Sequence, residues 1–136
     1  MIPRPVEDRD SAPWWSAVRE HRLTVQRCGG CGTLRFPPTT ICARCRCRES
    51  GWVDVSGCGT VASWVVTHHA FLPVYADAVP YVVALVRLVE QQDLVLYGDV
   101  HGLEPADARA GLPVRAWFDD VDAELTVVRW RPVEPR

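Results

Sequence analysis

The sequence predicts a mainly β protein: a short N-terminal helix, a metal-binding ribbon, then a five-stranded barrel of the OB type. Three observations predict it. Two Cys-x-x-Cys pairs, Cys28/Cys31 and Cys42/Cys45, stand ten residues apart, the spacing of a two-turn metal site. After Trp52 the chain turns into five β-branched and aromatic runs separated by turn residues, as short strands require. One proline-started helical turn falls among the later runs, a layout that suits a small Greek-key barrel. At 136 residues the chain is long enough for a single core burying about two thirds of its unfolded surface.

The elements follow in order. Residues 1–10 mix proline with charge and read as a loose lead-in. Ser11 is a candidate N-cap and Pro13 fits a first helical turn. Trp14, Trp15 and Val18 then share one side of a helix ending near His21. The two tryptophans are expected to pack that helix onto its own domain, the alternative being an aromatic anchor for a partner. Leu23 to Arg27 reads as a strand entering the first metal turn, and Leu34-Arg35-Phe36 as its return, broken by Pro37-Pro38. Gly57-Cys58-Gly59 is a turn or bulge that introduces the strand Thr60 to Thr67. A thirteen-residue loop, 68–80, precedes Tyr81 to Val89, which is apolar as far as Arg87 and is expected to be buried on both faces. Glu90 to Asp93 is a polar turn, Leu94 to Val100 the returning strand, and Glu104 to Arg109 one helical turn begun by Pro105. Pro113 to Val121 and Glu124 to Trp130 supply the last two strands. The expected division is a lead-in and helix over 1–22, a ribbon over 23–51 and a barrel over 52–136.

The cysteines carry the clearest chemistry. Each Cys-x-x-Cys turn aims two thiolates inward, and two facing turns complete a tetrahedron around Zn²⁺. Gly30 and Gly32 suit the first turn because glycine tolerates positive φ. Four thiolates leave no open coordination position, which points to a structural metal and not a catalytic one. Iron fits the same geometry as zinc. The second turn has no glycine after its second cysteine, and Cys47 is an alternative to Cys45 as fourth ligand. Cys58, outside the ribbon spacing, reads as a small buried residue. The start Met1-Ile2-Pro3-Arg4-Pro5 lacks the apolar run of a secretory signal. A reducing cytoplasm is therefore the expected location, and disulfides are not expected.

Composition removes several function classes. The net charge is −2, and all fifteen basic residues are arginine, which reflects codon usage in a GC-rich genome before it reflects function. Nucleic acid is thus an unfavoured partner, although zinc ribbons and OB barrels both serve that use and Trp64, Tyr81 and Tyr97 offer stacking surfaces. The longest apolar run, Tyr81 to Val86, is far below the about 20 residues that span a bilayer. Arg35, Arg44, Arg46 and Arg48 make the ribbon locally basic, as a solvated face or as a contact for phosphate or an acidic partner. His68 and His69 are the best candidates for acid-base work. Adjacent residues on an extended chain point apart, so at most one faces a given site. No nucleophile sits in an activating motif, and Asp119, Asp120 and Asp122 read as a solvated turn. The loop 68–80 sets Phe71, Leu72, Val74 and Tyr75 among prolines, which suits a surface for a partner. Its alternative is a loop folded over the barrel mouth.

A resemblance joins these pieces. Leu23-x-Val25-Gln26-Arg27-Cys28-x-x-Cys31-Gly32, Phe36-Pro37-Pro38, Cys42-x-x-Cys45, Ser56-Gly57-x-Gly59-Thr60-Val61, Pro80-Tyr81-Val82-Val83-Ala84-Leu85-Val86 and Gly111-Leu112-Pro113-Val114 resemble, as a set, the zinc-ribbon/OB-fold acyl-CoA-associated proteins catalogued as domain of unknown function family 35. The resemblance covers residues 12 to 133. It implies a helix, a rubredoxin-like zinc ribbon and an OB barrel, and it carries Cys28, Cys31, Cys42 and Cys45 over as metal ligands. It also implies a non-catalytic subunit that binds a thiolase-superfamily enzyme, either a thiolase or an aldolase acting on steroid side-chain CoA esters, and helps form its acyl-CoA site. Given such an enzyme, the length and apolar content of the loop 68–80 lead to the expectation that it docks there, with His68, His69, Phe71, Leu72 and Tyr75 near the partner or the acyl-CoA. Cys58 and the cysteine-rich second turn depart from the family pattern.

Overall fold

The computed structural model describes residues 2–133. Its helix, α1 (Ala12–Arg19), buries Ala17 and Val18, and Trp14 packs on Phe36 of the ribbon with ring centroids 5.5 Å apart. Trp15 meets Trp14 edge-on, so the pair serves internal packing. Two details of the helix differ from expectation. Ser11 caps no helix amide; its hydroxyl accepts the Asp8 N–H while the Asp8 carboxylate accepts the Ser11 N–H at 2.7 Å. The helix also stops at Arg19, because His21 takes a left-handed φ of 59° that a right-handed helix does not continue through.

The ribbon is a three-stranded antiparallel sheet. β1 (Thr24–Cys28) lies between β2 (Leu34–Arg35) and β3 (Ser50–Asp54). β3 is absent from the sequence reading, which begins the barrel's character there. Ser-Gly-Trp-Val-Asp has weak strand propensity of its own. It is a strand because its residues pair in register with Thr24 to Cys28.

Five further strands close a barrel: β4 (Cys58–Thr67), β5 (Tyr81–Leu88), β6 (Val95–Val100), β7 (Pro113–Asp120) and β8 (Thr126–Pro132), in the order β4-β5-β6-β8-β7. All pairs are antiparallel except β6 with β8. The helical insert is a 3-10 turn, Pro105–Asp107, between β6 and β7. A register shift between Val61 and Ser63 bends β4, so that its start pairs with β7 and its length with β5.

One apolar cluster runs through both parts. Leu23 and Val25 of the ribbon join Val61, Val82, Val86, Leu88, Val114 and Trp130 of the barrel. At the tip of the β5–β6 turn the Gln91 amide accepts the Leu34 N–H at 2.9 Å and donates to the Leu34 carbonyl at 2.7 Å. The ribbon is therefore fixed to the barrel by packing and by a two-point hydrogen bond.

β5 corrects the expectation of burial on both faces. Val82, Ala84, Val86 and Leu88 are buried, while Tyr81, Val83 and Leu85 between them are half-exposed. The strand is apolar on two faces, but only one of them lies in the core.

Candidate metal centre and partner face

The ribbon brings four thiols together. The Sγ atoms of Cys28, Cys31, Cys42 and Cys45 all lie within 4.8 Å of one another, with Cys28 to Cys45 at 3.4 Å and Cys31 to Cys42 at 3.7 Å. A tetrahedron with Zn–S bonds of about 2.3 Å has S···S edges of about 3.8 Å. The donor set thus fits one tetrahedral ion, and all six cysteines of the chain are free of disulfides. Backbone amides point at the sulfurs in both turns: the Gly30 and Cys31 N–H groups at Cys28, and the Arg44 N–H at Cys42. Such donors stabilise thiolate, and the Cys28 thiol is lowered to about 6, first by the Cys31 N–H and against its own desolvation. Cys31 is lowered by Thr33. Cys45 receives the Cys47 N–H, which favours its thiolate, yet its hydrogen bond to Cys28, followed by desolvation and the neighbouring Cys31 and Cys42 thiols, pushes it up to about 12. Four clustered thiols resist full ionisation until a cation shares their charge.

The two turns solve the same backbone problem differently. Gly32 donates its N–H to the Cys28 carbonyl with φ +76°, and Arg46 does the same to Cys42 with φ 64°. Arginine there carries a left-handed strain of about 1–2 kcal/mol. Gly30 is needed for space and not for φ: a Cβ on it would fall 3.2 Å from the Cys45 sulfur and 3.0 Å from the Cys47 Cβ.

Cys47 lies outside the four-thiol group, with its Sγ accepting the Glu49 N–H. Cys58 opens β4, half-buried. Arg35 is drawn into the ribbon, donating to Gln26 at 2.6 Å and to the Thr39 carbonyl at 3.1 Å. Arg44 pairs with Asp93 at 3.4 Å, and Arg46 and Arg48 are exposed.

The loop between β4 and β5 has two sides. His68 and His69 are exposed, and the His69 ring meets Phe71 edge-on at 4.7 Å. Phe71 is 88% exposed and Leu72 44%. Tyr75, in a 3-10 turn over Pro73–Tyr75, is half-buried and turns inward, its ring 6.5 Å from that of Tyr81. Beside the loop the outward residues of the barrel wall form an apolar row that the sequence reading did not identify. Val65 pairs with Val83, and Leu85 with Tyr97. Val65 is 62% exposed and Tyr97 77%. The signal for this row was the unbroken apolar run 81–86, whose second face had no core to enter.

Residues 15–49 match the family description "ChsH2, rubredoxin-like zinc ribbon domain" and residues 52–119 match "ChsH2, C-terminal OB-fold domain". The chain is 40% identical over 136 residues to a probable enoyl-CoA hydratase alpha subunit of Thermomonospora curvata, covering 100% of this chain and 41% of that protein. It is 36% identical over 131 residues to the 3-oxo-4,17-pregnadiene-20-carboxyl-CoA hydratase alpha subunit of Mycobacterium tuberculosis, covering 96% of this chain and 40% of that protein. The chain thus spans about two fifths of the length of these curated relatives. Among solved structures, a chain of an Ltp2-ChsH2(DUF35) aldolase superposes with a TM-score of 0.84 at 39% identity, covering 95% of this chain and 98% of that one.

Proposed function

We propose, from the premise that this chain belongs to the ChsH2/DUF35 family, that it is a non-catalytic accessory subunit: it docks on a thiolase-like aldolase of the Ltp2 kind and helps form that enzyme's acyl-CoA site. The observation that carries this reading is the apolar outer wall of the barrel. An outward strand face is ordinarily polar when it meets water, yet Val65, Val83, Leu85 and Tyr97 lie together there, with Phe71 and Leu72 projecting beside them. An exposed apolar patch of this kind marks a protein interface. The similarity to a chain of an aldolase complex supplies the class of partner, and the names of the hydratase relatives support CoA esters, steroid side-chain esters included, as the substrates of the assembly.

In this reading the metal has a structural role. Cys28, Cys31, Cys42 and Cys45 hold one zinc ion, which crosslinks the ribbon and takes no part in the reaction. Metal binding and local folding are then one event. His68 and His69 position the loop and move no proton in the reaction. The free thiols suit a reducing compartment, and we place the protein in the cytoplasm.

The test is capture. An affinity-tagged chain co-expressed with the aldolase subunit should retain it through purification. Replacing Val65, Phe71 and Tyr97 together with serine removes apolar surface without touching the core. Capture should fall by at least about tenfold while circular dichroism stays unchanged. Full capture by the folded triple variant would show that the interface lies elsewhere.

A further inference from the structure

A cavity of about 720 Å³ lies against the outside of β5, β6 and β8. Its walls are Val74, Tyr75 and Ala78 from the loop, with Tyr81, Val83 and Leu103 from the barrel side. Small-molecule sites have volumes of about 300–1,000 Å³ and mostly apolar linings. The place also suits a ligand. OB barrels bind theirs on the face of the second and third strands, under the loop joining the first two, and here those parts are β5, β6 and the loop 68–80.

The floor of the cavity decides the chemistry of its occupant. Arg129 donates from Nη1 to Asp99 at 2.6 Å and from Nε to Asp119 at 2.8 Å. The His101 Nε2 meets the same Asp99 oxygen at 2.7 Å. Two carboxylates surround one guanidinium, so the floor offers no surplus positive charge for a phosphate or carboxylate. Nη2 of Arg129 has no hydrogen-bond partner among the described residues, which leaves N–H groups for a neutral acceptor.

We propose that this cavity binds an uncharged, ring-sized apolar group bearing one carbonyl or hydroxyl oxygen. The apolar body lies against Val74, Tyr75, Tyr81 and Val83, and the oxygen accepts from Arg129. The loop then works on two sides, Phe71 and Leu72 facing a partner while Tyr75 and Ala78 face the ligand. Identifying the ligand as the acyl body of the CoA ester rests on the function proposed above. The carboxylates of the floor then keep the charged nucleotide end of that ester outside.

The isolated chain tests the site with prodan, an uncharged two-ring ketone whose emission shifts to the blue in apolar surroundings. We expect a saturable one-to-one blue shift. The similarly sized sulfonate dye 1-anilinonaphthalene-8-sulfonate should bind at least about tenfold more weakly, because its charge meets Asp99 in the lining and an Arg129 already neutralised by Asp99 and Asp119. Ala78→Trp fills the cavity away from the docking wall, and Ala78 is exposed enough for its variant to fold. It should weaken prodan by at least about tenfold, and Phe71→Ser should leave it unchanged. No saturable shift, equal affinity for the two dyes, or unaltered prodan binding in the folded Ala78→Trp variant would overturn the proposal. Aldolase capture is measured in parallel on the same proteins. Capture without prodan binding sinks the cavity and leaves the docking reading, and prodan binding without capture does the reverse.

Discussion

At the scale of single residues the metal ligands are the first question, because a fifth cysteine sits two positions from the fourth. Cys45 shares the tetrahedral group and Cys47 does not. Cys45→Ser should therefore release zinc, seen as a fall from one equivalent by elemental analysis, with loss of ribbon stability. Cys47→Ser should keep the full equivalent; the opposite pattern would make Cys47 the ligand. A second residue-scale effect concerns acid. The Asp122 carboxyl is held at about 2, below its ordinary 3.8, first by its hydrogen bond from Arg4 and then by the Glu124 N–H. Its folded pKa lies below its unfolded one, so its contribution is complete above the unfolded value. It is lost as pH falls from about 4 through about 2. Both side chains are nearly half-exposed, which keeps the effect small. Denaturant midpoints should show Asp122→Asn less stable than the parent at pH 7, and the two should converge near pH 2. A gap that persists there would mean that another interaction is responsible.

At the scale of elements the barrel wall depends on how closely β6 and β8 approach. Trp130 is fully buried, and it fits because Gly98 leaves room: a Cβ there would fall 2.5 Å from the indole Nε1 and 2.6 Å from Cδ1. Neither strand can retreat without opening the sheet. Gly98→Ala should thus cost about 2–3 kcal/mol by overpacking, read from the denaturant midpoint at constant slope. A loss under half of that would show that the indole can shift. The same closeness explains why a glycine occupies a strand whose neighbours are Val95, Leu96 and Tyr97. The loop 68–80 illustrates a different point. Its apolar residues divide between outward Phe71 and inward Tyr75, a division that the 3-10 turn over Pro73–Tyr75 creates.

For the whole molecule the deciding quantity is charge against shape. An OB barrel with exposed Trp64 and Tyr97 has the form of a single-strand binder, but stacking alone does not replace phosphate neutralisation. The net charge is −2, Arg35 and Arg129 are engaged within the fold, and Arg44 is paired. Titration with an oligothymidylate at physiological salt should show no sub-micromolar binding. Tight, salt-sensitive binding would return the nucleic-acid reading to first place.

The sequence by itself determined the mainly β class, two facing cysteine turns and the five barrel strands, because each rests on local chemistry, whereas the choice of Cys45 over Cys47 as the fourth clustered thiol came from the fold. Cysteine spacing, β-branched runs and glycine turns all act within a few residues. What the tertiary structure decided depends on pairing between distant residues. β3 exists through β1, Arg35 is drawn inward by Gln26 and Thr39, and Arg46 is strained to match Gly32. The ribbon shares one core with the barrel. The apolar outer wall was half legible. The run Tyr81 to Val86 announced two apolar faces, but a strand's period cannot say which of them a core will cover. Closure of β4 through β8 settled that, leaving Val83 and Leu85 on the outside. The Asp99–Arg129–Asp119 group gave no sequence signal, since its members come from three strands that meet only when the barrel closes.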